Sequence, residues 1–213
     1  MPAYKTKAFP APFDAPRFQE VTQSCAFILA ANWCMQGIRG MDAKELGFRL
    51  LLEMLVAAVL KDAVGLLVAL VLAHSFSFTL NGQVWVCVRY CPAYRRSPRA
   101  VDKFERRTAN RLRRLPWLEE AVLIGSRGGT APRGTRSDID LRLVFPPGPL
   151  AWLRTNILLL RLRAAAFVRM IPLDLYAYDG IDSLRRFDQR EPLRLILDRQ
   201  GRLAGAFPAR VTG

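Results

Sequence analysis

Val122-Leu123-Ile124-Gly125-Ser126-Arg127-Gly128-Gly129, followed after a loop by Ser137-Asp138-Ile139-Asp140-Leu141-Arg142-Leu143-Val144, sets the reading of the C-terminal half. An apolar strand that runs into Gly125-Ser126 brings the backbone close to a polyphosphate with no Cβ in the way, and the Ser126 hydroxyl and nearby amides can hold the oxygens. In the second strand side chains repeat with period two. Asp138 and Asp140 therefore share one face while Ile139 and Leu141 point into a core. Two carboxylates on one face make a hard oxygen site of the kind that suits Mg²⁺, which keeps several waters and takes further ligands from substrate phosphates.

Farther along, Ile171-Pro172-Leu173-Asp174-Leu175-Tyr176-Ala177-Tyr178 is a third apolar strand with a carboxylate, Asp174, inside it. Between the second and third strands, Trp152 to Met170 reads as a helix with Leu153, Ile157, Leu160, Ala164 and Phe167 or Val168 on a core-facing stripe. Asp-x-Asp alone is common on exposed strand faces and Gly-Ser alone marks a turn; their conjunction, in order and bounded by apolar strands, is what discriminates.

These residues resemble the nucleotidyltransferase superfamily, in particular its minimal, DNA-polymerase-β-like members, whose signature is Gly-Ser, a loop, and Asp-x-Asp inside a strand. The resemblance covers about Pro116 to Gly205. It implies an α/β (α+β) domain with a mixed sheet flanked by helices, and two-metal transfer of a nucleoside monophosphate from an NTP to a hydroxyl acceptor. Asp138, Asp140 and Asp174 would then be catalytic and would hold two Mg²⁺ ions. Gly125, Ser126, Arg127, Arg136 and Ser137 would bind the nucleotide. Eleven residues separate Ser126 from Asp138, and this longer loop carries Pro132, Arg127, Arg133 and Arg136, a charge suited to a triphosphate. A second reading is a nucleotidyltransferase-fold binding or regulatory subunit, antitoxin-like, that acts through a partner protein. A third is a basic adaptor at a membrane surface or on nucleic acid, with the motif a coincidence.

The surroundings of the motif are basic and apolar at once: 32 Lys and Arg stand against 18 Asp and Glu, for a net charge of +14, with 51% hydrophobic residues. Such a chain is not a disordered basic tail, and its partners should be anionic. Three regions follow: 1–90 hydrophobic and helical, 91–115 a basic linker and helix, and 116–213 the nucleotidyltransferase domain. From Ala63 to Leu80 there is no charged residue. Eighteen residues are the lower edge of a membrane span. Trp85, Arg89, Tyr90, Arg95, Arg96 and Arg99 follow it as aromatic and basic flanks would. Lys61-Asp62 argues instead for two helices meeting there. The competing reading is a pair of buried helices, Lys44 to Leu60 and Ala63 to Ser75, packed as a hairpin or as a dimer interface. The expected location is the cytoplasmic side of a membrane, with a soluble cytoplasmic protein as the alternative.

Cys25 to Met35 is too short to span and has no basic segment against it, so a cleaved signal peptide is not expected. The four cysteines lack paired Cys-x-x-Cys spacing and His74 is the only histidine, which argues against structural zinc; reduced thiols are expected in a cytoplasm-facing chain. Val101, Phe104, Thr108, Leu112 and Leu115 fall at helical spacing with arginines on the other faces. Aromatics are not interleaved with those arginines, so a nucleic-acid groove ranks below an anionic lipid surface. Ile181 to Arg190 reads as a short helix, and Leu193 to Leu203 as an apolar segment turning at Gln200-Gly201.

Overall fold

The computed structural model describes residues 7, 13, 15–35, 41–125, 137–186 and 191–212. Helices α1 (Gln19–Thr22), α2 (Cys25–Met35), α3 (Ala43–Val64), α4 (Leu66–Leu80) and α5 (Gln83–Val88) precede the basic helix α6 (Pro98–Arg113). Strands β1 (Glu120–Ile124) and β2 (Ile139–Val144) are followed by α7 (Pro149–Val168), β3 (Leu173–Tyr178), β4 (Leu193–Asp198), α8 (Arg202–Ala206) and β5 (Val211–Thr212). The strands form one mixed sheet in the order β3-β2-β1-β4-β5. β1 is antiparallel to β2 and to β4, whereas β2 and β3 are parallel and need the α7 crossover to join them. The fold is thus mixed α+β, with the described elements of the motif region in the order strand, strand, helix, strand. The segment Ile181–Arg186 is a 3-10 helix.

Period-two alternation sorts the sheet into two faces. Leu123, Ile139, Leu141, Leu173 and Leu175 pack with Val101, Phe104 and Leu112 of α6 and with Leu158, Leu159 and Leu162 of α7. The spacing read in α6 is therefore the spacing of its buried face. On the other side, Val122, Ile124, Tyr176, Tyr178 and Leu193 meet Met41, Leu184, Leu203 and Phe207. The Asp residues lie on this second face.

The N-terminal helices are tied to the sheet by polar groups that have nowhere else to go. Glu45 of α3 is fully buried and accepts from Arg163 of α7 at 2.6 Å, from Arg49 at 2.7 Å and from the Ala177 amide at 3.1 Å. Burial opposes its charge, but the two guanidinium groups hold its carboxyl below the ordinary glutamate value. Removal of one partner would leave buried charge uncompensated.

α3 and α4 meet at Gly65, whose φ of +79° ends one helix and starts the next. This break divides the uncharged run Ala63 to Leu80 and leaves α4 with 15 residues. Among the described residues no helix is long and apolar enough to cross a membrane. Two of the flanks expected to mark a bilayer exit turn inward, while Arg95 and Arg99 are exposed. Trp85 donates to the Phe167 carbonyl at 2.9 Å, and Arg89 is buried in an ion pair with Asp138. The expectation of reduced thiols is corrected as well: Cys25 and Cys91 are joined in a disulfide that fastens α2 to the segment after α5, while Cys34 and Cys87 are free.

Candidate active site

The second face of the sheet brings the three carboxylates together by register. Asp140 of β2 pairs directly with Asp174 of β3 in the parallel ladder, and Ile124, the last residue of β1, pairs with Asp140 on the other side. Asp138 sits two residues before Asp140 on the same face, just ahead of β2. Gly125 follows β1 with φ +73°, and an added Cβ there would meet the Asp140 Oδ2 at 3.3 Å. Glycine is required at that turn both for its backbone angle and for this close approach. The Glu191 Oε1 lies 4.0 Å from the same point, a fourth acid at the edge of the group. Of the residues expected to cradle a nucleotide, Gly125 and Ser137 are described; Ser126, Arg127 and Arg136 lie outside the described residues.

Two arginines enter the carboxylate group. Arg89, which caps the end of α5, forms a buried ion pair with Asp138. Arg142, two residues beyond Asp140 and so on the same strand face, donates to the Asp174 Oδ2 at 2.7 Å and to the Asp174 carbonyl at 2.6 Å. Its guanidinium is 3.9 Å from Asp140 and lies 5.1 Å from the centre of the Tyr176 ring. Asp138 is itself buried against Arg89, so it takes part in the packing of this face.

Among the described residues, Asp138 has Arg89 and Asp174 has Arg142 as a close counter-charge, whereas Arg142 stands 3.9 Å from Asp140. Burial, and then the neighbouring Asp138 and Asp174, push the Asp140 carboxyl well above the ordinary aspartate value. Asp174 moves the other way. Burial works against its charge, but Arg142 and a hydrogen bond with Asp140 hold it below the ordinary value. Arg89 and Arg142 are both raised: burial opposes their charge, and the attraction of Asp138 and of Asp174 outweighs it.

These groups can hold a hard cation by their donor chemistry, since a cation near Asp140 would relieve the repulsion between it and the neighbouring Asp138 and Asp174. As the side chains stand, however, arginines take up two of the three carboxylates. Among the described residues no group of three His, Cys, Asp or Glu side chains is arranged to hold a metal ion.

Sequence reasoning missed Arg142, Arg89 and Glu191. Arg142 was available from the same period-two argument that paired Asp138 with Asp140. Arg89 carried no local signal, because only the packing of α5 against β3 delivers it. No family model, no curated protein and no solved structure matches the chain.

Proposed function

We propose that the protein is a metal-dependent nucleotidyltransferase that moves a nucleoside monophosphate from an NTP to a hydroxyl acceptor. The observation that carries this reading is the register pairing of Asp140 with Asp174 on adjacent parallel strands, with Gly125 closing over Asp140 at the end of β1. Asp138, Asp140 and Asp174 would hold the Mg²⁺ ions, which when bound supply positive charge to the reacting phosphate and the leaving pyrophosphate. Gly125 leaves room for the polyphosphate beside Asp140. Arg89 and Arg142 keep the acids together in the free protein and must yield some of their contacts to admit ions. Asp174 would complete the ion on the acceptor side and help to deprotonate the acceptor hydroxyl.

A specific observation favours the second reading, a nucleotidyltransferase-fold subunit that binds and works through a partner protein: Arg89 and Arg142 already satisfy Asp138 and Asp174. Titration calorimetry of the full chain with NTPs, with and without Mg²⁺, separates the two. NTP binding that strengthens with Mg²⁺ and is lost in Asp140→Asn supports the enzyme. Binding that is unchanged by Mg²⁺ supports the subunit.

A further inference from the structure

The α3–α4 hairpin presents an apolar surface that the rest of the molecule does not cover. Ala57, Ala69 and Ala73 form the seam between the two helices. On α4, every residue from Leu66 to Leu72 except Ala69 is exposed, with Leu67 at 76%. Successive residues on a helix step by about 100°, so this run looks outward on all sides but the seam. On α3, Leu50, Leu51, Met54, Leu55 and Val59 are exposed as well, with Val59 at 73%. Soluble monomers rarely leave such contiguous apolar area open.

A second copy of the chain would cover one broad side of the hairpin and leave the other in water. Lipid covers all sides at once. Part of the stripe expected to face the core in α7 is turned outward instead: Leu153 and Ile157, with Leu150, are exposed large aliphatics, and exposed Arg154 and Arg161 lie at helical spacing beside them, while Leu158, Leu159 and Leu162 face the core. Aliphatics that enter acyl chains, next to arginines that reach phosphates, are the pattern of a helix at an anionic membrane interface.

The mode of insertion is constrained too. No described helix can cross. Lys61 and Asp62 are exposed beside the Gly65 turn, so a tip-first entry would carry both toward the midplane, at a cost of about 2.5–3.5 kcal/mol each. Lying in the plane of the membrane avoids that. A helix is roughly 10 Å across, and half of a hydrocarbon core is roughly 15 Å, so one leaflet encloses the pair while Lys61 reaches the headgroups.

We infer that the α3–α4 hairpin embeds in one leaflet of an anionic membrane, lying along it without crossing, with the α7 stripe seated on the headgroups. The inference stands independently of nucleotidyl transfer. The test uses the full chain with Cys34→Ser, an environment-sensitive fluorophore on Leu67→Cys, and vesicles of phosphatidylcholine with or without phosphatidylglycerol. The expected result is flotation with the vesicles, favoured by phosphatidylglycerol, and a blue shift of the label. A label on Asp62→Cys should remain reachable by an impermeant quencher added outside. Leu67→Asp combined with Leu70→Asp should lose flotation while keeping the thermal melt of the parent chain. An unshifted label, together with a concentration-dependent dimer in sedimentation, would overturn the inference in favour of a second copy. Protection at position 62 would overturn the in-plane arrangement.

Discussion

The carboxylate face of the sheet and the α3–α4 hairpin solve opposite problems. On the sheet, Asp138, Asp140, Asp174, Arg89 and Arg142 are drawn out of water into one group, and their charges nearly balance within it. On the hairpin, Leu67, Val59 and their neighbours remain in the open with only an alanine seam behind them. A buried charge has to find its counter-charge inside the molecule, whereas an apolar side chain can wait for a surface outside it. The first region is therefore sensitive to single substitutions, and the second should tolerate them until its external surface is supplied.

The largest expected effect is at Asp138. Asp138→Ala leaves Arg89 buried without its carboxylate and should cost about 3–5 kcal/mol, read as a fall in the denaturant midpoint at unchanged slope. A loss below 1 kcal/mol would mean that the pair is solvated and the face less closed than described. Next comes the Cys25–Cys91 disulfide, which closes a loop over a sequence separation of 66. Cys25→Ser should cost about 2–4 kcal/mol, and a thiol count on the denatured parent chain should find only Cys34 and Cys87 free.

Asp140→Asn should have the opposite sign. Because the folded state holds the Asp140 proton more tightly than the unfolded chain does, stability falls as pH rises from the ordinary aspartate range through the raised value. The variant should lack that fall and melt at or above the parent chain at higher pH. Asp174, held below the ordinary value, contributes stability above the ordinary range that is lost as pH drops through its folded value. A parent-like pH profile in Asp140→Asn would remove the charge imbalance from the account. The smallest effect is expected on the hairpin, where Leu67→Asn in the lipid-free protein should change stability by no more than about 0.5 kcal/mol.

Much of this was legible in particular residues. The alternation around Asp138 and Asp140 placed them on one face and Ile139 and Leu141 in the core, and the spacing of Val101, Phe104 and Leu112 marked the buried side of α6. Alternation is a local property, so it survives folding. What could not be read was where distant segments meet. Arg89 looked like a headgroup-facing flank because it follows an apolar run, yet the packing of α5 on β3 turns it onto Asp138. Glu45 lay on a helix read only for its hydrophobicity, and it anchors that helix to Arg163 and the Ala177 amide. The uncharged run Ala63 to Leu80 was judged by composition, whereas Gly65 decides its structure through one backbone angle.

The central claim, that the carboxylate face transfers a nucleotidyl group, is tested most directly by following the α-phosphate itself. The full chain is incubated with NTPs labelled at the α-phosphorus, Mg²⁺ and a membrane extract, beside the Asp140→Asn variant, and labelled products are separated. Label should pass from one NTP into a hydroxyl-bearing product with the parent chain and not with the variant. Equal labelling by both proteins, or none from any NTP, would contradict the assignment.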